Sequence, residues 1–358
     1  MVKQNSNVQS WLERLWYGRS SWRFVLLPLS TLFSAAVGLR RYLYRSGFLR
    51  SINVGVPVIV VGNISVGGTG KTPIAIWLAR ELGTRGHHPA IVSRGYGGRV
   101  GPRPVQATPE SNPSEVGDEA IVMAARSACP VFVHPDRVAA ASAAVAAGVD
   151  VIIADDGLQH YRLARDFEIA VVDGIRGAGN GLMLPAGPLR EPLQRLQSVD
   201  RVLVQTEGQD VDVPFLRRAA DQSASAFALL PRQMWRLGTE ESRPLGEFSG
   251  KTVHAVAAIG NPQRFFRMLE SHGMRVIPHA YRDHLTLTAT QLEFGDNMPI
   301  VMTEKDAVKC RGLSVHNCWY VPVTVKFPNA GRSNWLDDLN DRLIIKKELL
   351  CLTSGSPS

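Results

Sequence analysis

The sequence predicts an α/β protein built on a doubly wound, mainly parallel sheet. Three observations carry that expectation. Short apolar, β-branched runs recur at 56–62, 90–93, 151–154, 168–173 and 200–206, the pattern of strands buried on both faces. Segments with helical spacing, such as 74–86 and 119–128, lie between them, and that alternation favours crossover helices. Several runs end in a glycine-rich turn or an acidic residue, and open α/β sheets hold ligands at the carboxyl ends of their strands.

The 358 residues leave room for two compact domains, and 45% hydrophobic with 20% charged residues excludes wholesale disorder. Forty Lys and Arg against 32 Asp and Glu give a net charge of +8. That balance favours anionic partners: a nucleotide, a phosphorylated lipid, a membrane surface or nucleic acid. No basic stripe interleaved with aromatics supports nucleic acid, so none is expected. Cys129, Cys310, Cys318 and Cys351 form no C-x-x-C pair and no zinc spacing, as in a reducing compartment.

Residues 24–39 carry no charge, with Arg23 before them and Arg40 and Arg41 after. Sixteen helical residues reach roughly 24 Å, short of a hydrocarbon core of roughly 30 Å, and Pro28 interrupts the ladder. A helix lying in the membrane interface, anchored by Trp11, Trp16, Trp22, Tyr42 and Tyr44, fits better than a single span. A buried core helix and a cleaved leader are the competing readings.

The strand at 56–62 runs into Asn63-Ile64-Ser65-Val66-Gly67-Gly68-Thr69-Gly70-Lys71-Thr72-Pro73 and then a helix. Strand, glycine turn, Gly-Lys-Thr and helix in that order form a Walker A phosphate loop. The sheet is therefore expected to be P-loop NTPase-like, with Ser65, Gly67, Gly68, Thr69, Gly70, Lys71 and Thr72 around a nucleotide. The glycines let main-chain N–H groups face phosphate, and the helix adds its positive end. Lys71 reaches the β- and γ-phosphates and Thr72 sits on Mg²⁺. Pro73 suits a first helical turn. One departure is that Ser65 occupies the first glycine position of the pattern.

The strand near 90–93 feeds a second glycine-rich turn, where Arg94 is placed to contact phosphate and Tyr96 to stack or hydrogen-bond; a plain surface loop is the alternative. Asp118 opens the helix at 119–128. It either caps that helix or accepts the proton of an attacking hydroxyl. The strand at 151–154 ends in Asp155 and Asp156, a Walker B arrangement for Mg²⁺, with Gln159 and His160 on the same turn. Farther on, Asp283-His284 either starts a helix or swings a histidine into the cleft.

Eight stretches together resemble the tetraacyldisaccharide 4'-kinases, the lipid A 4'-kinases of Gram-negative bacteria: VGNISVGGTGKTP (61–73), SRGYGG (93–98), VGDEA (116–120), DDGLQH (155–160), GNGLMLPAGPLREP (179–192), AIGNPQRFF (258–266), YRDH (281–284) and MTEKDAVK (302–309). The resemblance covers most of residues 10–325. It implies ATP-dependent phosphorylation of the 4'-hydroxyl of a lipid A disaccharide 1-phosphate, giving lipid IVA, with ATP and Mg²⁺ as cofactors. Carried onto this chain, Asp118 resembles the base, with Lys71 as the phosphate lysine and His284 as the partner of Asp118. Thr72, Asp155, Asp156 and Glu191 resemble metal or supporting residues. Arg94 and Arg190 resemble phosphate contacts; Tyr96, Gln159 and His160 complete the candidate set. The resemblance also implies a membrane-associated N-terminal helix and work at the cytoplasmic face of the bacterial inner membrane.

The expected organisation is an N-terminal membrane-associated segment (1–50), a P-loop core (51–235), a smaller α/β domain (236–340) and a tail (341–358). A membrane-associated P-loop ATPase acting as a switch shares the phosphate loop and the helix, and differs in yielding no phosphorylated product.

Overall fold

The computed structural model describes residues 6–18, 20–207, 224–283, 285–327 and 333–354. Val58, Ile59, Val60 and Val61 favour extended backbone and are buried on both sides, so they form a central strand, β1 (Val58–Gly62). The other apolar runs follow suit as β2 (Pro89–Ser93), β5 (Val151–Asp155), β6 (Phe167–Asp173) and β7 (Arg201–Thr206). With β3 (Val105–Ala107), β4 (Val131–Val133), β8 (Ala224–Pro231) and β15 (Val323–Lys326) they make a nine-stranded sheet. Its order is β15-β8-β7-β6-β1-β5-β2-β4-β3. Strands β4 to β8 in that row are parallel, and only the edge strands β3 and β15 run antiparallel. The carboxyl ends of β1, β2, β5, β6 and β7 therefore open on one edge.

The side-chain alternation of β1 and β5 separates two cores. Ile59, Val61 and Ile153 face helices α3 (Lys71–Thr84) and α5 (Asp118–Arg126). Val58, Val60 and Ile152 face α6 (Arg137–Ala146). The short helix α4 (Pro113–Val116) leads into α5.

A second, six-stranded sheet has the order β10-β9-β14-β13-β11-β12. Its strands are β9 (Gln233–Arg236), β10 (Ser242–Pro244), β11 (Thr252–Ala257), β12 (Arg275–Ala280), β13 (Ile300–Thr303) and β14 (Cys318–Val321). Helices α7 (Pro262–Ser271) and α8 (Glu304–Lys309) pack on it. The chain then returns to the first sheet. Val323 pairs with Pro231 across the β15–β8 edge. Helix α9 (Ser333–Ser354) buries Leu336, Leu339 and Leu343 beside Trp77 and Phe327. Residues expected as a tail from 341 thus continue a helix, because an apolar i, i+3, i+7 stripe has a core to enter.

The N-terminal part holds α1 (Ser6–Tyr17) and α2 (Trp22–Arg45). Helix α2 passes through Pro28 without ending, since a proline in the second turn forfeits only one hydrogen bond of the ladder. At 24 residues it is long and apolar enough to cross a membrane by length and composition, which exceeds the reach expected from the charge-free run. One side docks on the protein, where Ser30 is buried and its hydroxyl donates to Met183 O at 2.8 Å. Phe33 and Val37 rest on the second core. Trp22, Val25, Leu29, Leu32 and Leu39 point outward.

Candidate active site

The turn after β1 supplies the phosphate cradle. Gly67 has φ +115° and Gly70 has φ +87°, conformations that side chains oppose. Gly70 is the N-cap of α3, so the turn delivers its amides to the positive end of that helix. The segment 179–192 braces the turn from outside. Val66 N donates to Pro188 O at 2.8 Å, Arg190 N donates to Ile64 O at 2.7 Å, and Ser65 pairs with Leu189 in an antiparallel bridge. Ser65 replaces glycine without strain because the backbone there is extended into that bridge. Thr69 is buried, and its hydroxyl has no hydrogen-bond partner among the described residues.

Opposite the turn stands the tip of β5. Lys71 Nζ lies 3.4 Å from Asp156 Oδ1, and Arg190 Nη1 lies 3.3 Å from Asp156 Oδ2. Burial pushes the Asp156 carboxyl up, but Lys71 and Arg190 outweigh it and hold the group below its usual value. Asp156 itself has φ +49°, a strained conformation that re-aims its side chain toward Lys71. Asp155 is 1% exposed, and its Oδ1 has no hydrogen-bond partner among the described residues. Burial, then Glu119 and Asp156, push it up to about 7. Arg137, at the start of α6, donates from Nη2 to Asp155 O at 3.3 Å.

The turn at 94–98 packs on the start of α5. A Cβ on Gly117 would meet Tyr96 O at 2.5 Å, and one on Gly98 would meet Glu115 O at 2.5 Å. Arg94 and Tyr96 are exposed above it. Asp118 is 4% exposed, and its Oδ1 accepts from Glu119 N at 2.8 Å. Gln159 Nε2 donates to Asn63 O at 3.0 Å, tying the second half of the site to the phosphate turn. Burial and Arg137 depress the His160 imidazole to about 4. Glu191 is fully buried, but its side chain turns to Tyr161, whose hydroxyl donates to Oε1 at 2.8 Å. Burial raises its carboxyl. The structure thus brings Lys71, Asp155, Asp156 and Arg190 together and leads Glu191 to a different set of neighbours. His284 lies outside the described residues.

Several residues of the site escaped the sequence reading. Arg264 on α7 bridges the sheets, with Nη2 2.7 Å from Asp173 Oδ2 and Nη1 donating to Gln205 Oε1 at 2.7 Å. Lys305 on α8 lies 2.9 Å from Glu119 Oε1 and 3.4 Å from Asp283 Oδ1. Gly260 approaches the phosphate turn, where a Cβ would meet Gly68 N at 3.5 Å. The motifs at 258–266 and 302–309 contain these residues, but spacing along the chain does not reveal what they face.

A divalent cation suits the strand tip. Among the described residues no cluster of three or more His, Cys, Asp or Glu side chains is preformed for a metal. Mg²⁺ does not require one, because it takes one or two carboxylates and completes its shell with phosphate and water. The unpartnered Oδ1 of Asp155, buried beside a second carboxylate, supplies that kind of donor.

Comparison with known proteins agrees with this fold. Residues 22–341 match the family described as Tetraacyldisaccharide-1-P 4'-kinase. The tetraacyldisaccharide 4'-kinase of Alkalilimnicola ehrlichii is 50% identical over 323 residues, 90% of this chain and 94% of the relative. That of Nitrosococcus oceani is 44% identical over 351 residues, 98% of this chain and all of the relative. Among solved structures, LpxK from Aquifex aeolicus, an "apo" form described in complex with ATP, superposes with a TM-score of 0.71 at 26% identity. It covers 91% of this chain and 99% of that one.

Proposed function

The chain belongs to the tetraacyldisaccharide-1-P 4'-kinase family, and from that premise we propose how its residues move the γ-phosphoryl group of ATP to the 4'-hydroxyl of a lipid A disaccharide 1-phosphate, giving lipid IVA. The observation that carries the reading is the facing pair of a left-handed glycine turn ending in Lys71 and a two-carboxylate strand tip, with Asp155 buried and Asp156 3.4 Å from the lysine.

Phosphoryl transfer asks little covalent chemistry of a protein and much positioning and charge. The amides of 67–72 hold the β- and γ-phosphates. Lys71 leaves Asp156 for phosphate when nucleotide arrives, and Arg190 and Arg94 add positive charge. Mg²⁺, when bound, supplies neutralisation of the β- and γ-oxygens, and Thr72, Asp155 and Asp156 are the residues to hold it. Glu191 supports this set through the backbone that carries Arg190. Asp118 accepts the proton of the 4'-hydroxyl, with His284 as its partner. Tyr96, Gln159 and His160 line the side on which the sugar enters.

Two sheets with separate cores support a P-loop domain and a smaller α/β domain, with β15 and α9 rejoining the first. The outward apolar side of α2 supports contact with a membrane surface, and a lipid substrate made in the cytoplasm would place that contact on the cytoplasmic face of the inner membrane. The switch ATPase reading has no support from the family.

Incubation with labelled ATP and the lipid disaccharide 1-phosphate tests the proposal. Label appears on lipid, and Lys71→Ala abolishes it. Label released only as inorganic phosphate, or near-normal transfer by Lys71→Ala, would refute the assignment.

A further inference from the structure

The motif at 302–309 has no role in the chemistry described so far, yet it places two lysines at the seam between the sheets. Lys305 and Lys309 are four residues apart on α8 and therefore share one face of that helix. Both meet the acidic start of α5, where Asp118 and Glu119 lie. Lys305 pairs with Glu119 at 2.9 Å. Lys309 is more deeply placed, with a side chain 4% exposed, 2.7 Å from Asp306 Oδ1 and 3.9 Å from Asp118 Oδ2.

The two partners of Lys309 belong to different sheets. Asp306 is 0% exposed, and its Oδ2 accepts from Ala258 N at 3.0 Å and from Thr303 Oγ1 at 2.7 Å. Those donors fix Asp306 within the second sheet. Asp118 belongs to the first sheet. The Lys309 ammonium makes no well-directed hydrogen bond to a described residue despite its burial. An ammonium has three donors to place, and a buried one is costly without well-made partners. It lies between a fixed carboxylate of one sheet and the candidate base of the other, 2.7 Å from the first and 3.9 Å from the second.

We propose that Lys309 is a positioning residue: anchored by Asp306 on the second sheet, it holds the Asp118 carboxylate at the seam in the orientation needed to receive the hydroxyl proton. Lys305 serves the same face by holding Glu119. The proposal rests on Asp118 being the base. Among the described residues, the charged groups around Asp118 include Lys309 and Lys305 from α8, Glu119 from its own helix, Asp306 from α8 and Asp283 from the loop after β12.

The test separates positioning from folding and from the base assignment. Lys309→Met alone leaves the buried Asp306 carboxylate without its lysine, so it is compared with Lys309→Met/Asp306→Asn, which removes both charges together. The full-length protein is assayed for kcat, for ATP dissociation constant and for Tm, alongside Asp118→Ala. Positioning predicts that the double variant recovers Tm and binds ATP within about twofold of the parent, yet turns over at least about tenfold more slowly, a part of the factor general-base catalysis supplies. A double variant with parental kcat, or one whose ATP affinity falls in step with its rate, overturns the inference. Failure of the double variant to recover Tm overturns it too, because the ion pair would then be structural. If Asp118→Ala keeps its rate, the base assignment itself is wrong, a result distinct from the others.

Discussion

Replacing Gly70 by alanine tests the phosphate cradle where its geometry is most demanding. The residue sits at φ +87° and ψ +20°, where a Cβ costs about 1–2 kcal/mol. That Cβ would also lie 3.1 Å from Gln205 Oε1 and 3.5 Å from Leu229 Cδ1. Gln205 has little freedom to retreat, because the same Oε1 accepts from Arg264 at 2.7 Å. A combined penalty of about 2 kcal/mol follows. If the turn relaxes to relieve it, the amides leave their phosphate positions and ATP affinity falls about 30-fold. If the turn stays in place, the penalty lowers Tm by about 3 °C for a chain of this size. Calorimetric titration with ATP and a thermal scan together capture both routes. Gly83, inside the same helix with open space around it, provides the opposite sign: Gly83→Ala should stabilise by about 0.5–1 kcal/mol. Parental affinity and parental Tm in Gly70→Ala would show that the left-handed turn is not what presents the amides.

Three further outcomes are expected. Arg264→Ala removes the cation from Asp173, which is 3% exposed. Asp173 keeps bonds from Ile175 N and Arg176 N, so the loss should be about 2–3 kcal/mol, seen as a lower urea midpoint. His160 titrates near 4 in the fold because burial and Arg137 disfavour its charge, against about 6.5 unfolded. The unfolded chain thus takes up a proton that the native state refuses. The stability tied to this group is complete above about pH 6.5 and is lost as pH falls toward 4. His160→Gln should flatten the decline of Tm over that window, and an unchanged decline would remove His160 as its cause. Leu32→Glu with Leu39→Glu, at 68% and 59% exposure, should leave Tm nearly unchanged. Burying two such side chains in lipid is worth about 1.5–3 kcal/mol each, so partition onto phospholipid vesicles should drop about a hundredfold or more. Equal partition of the variant would mean that α2 does not face the bilayer.

The elements legible in the sequence were those defined by local chemistry. Runs such as Val58–Val61 and Val151–Ala154 declare a buried strand through their β-branched residues. The Gly-Lys-Thr triplet declares a helix start, and Asp155 and Asp156 declare a strand end. What was hidden depends on partners distant in sequence. Strand β15 has four ordinary residues and becomes a strand because β8 offers an edge to it. The apolar stripe of α9 is diluted by charges that pair elsewhere, as Lys346 does with Asp166 and Lys347 with Asp150. Glu191 sits one residue from Arg190, yet its side chain takes other neighbours, because the chain bends between them. Lys309 and Asp118 are brought together only by the way the two sheets meet.

The chain leaves the first sheet at Pro231 and re-enters it at Val323, and these two residues are register partners. The whole second sheet is therefore an insertion suspended from two adjacent strands. Two straps restrain twisting more than one would, and the seam they frame is where Lys305 reaches Glu119 at 2.9 Å and Lys309 approaches Asp118 at 3.9 Å.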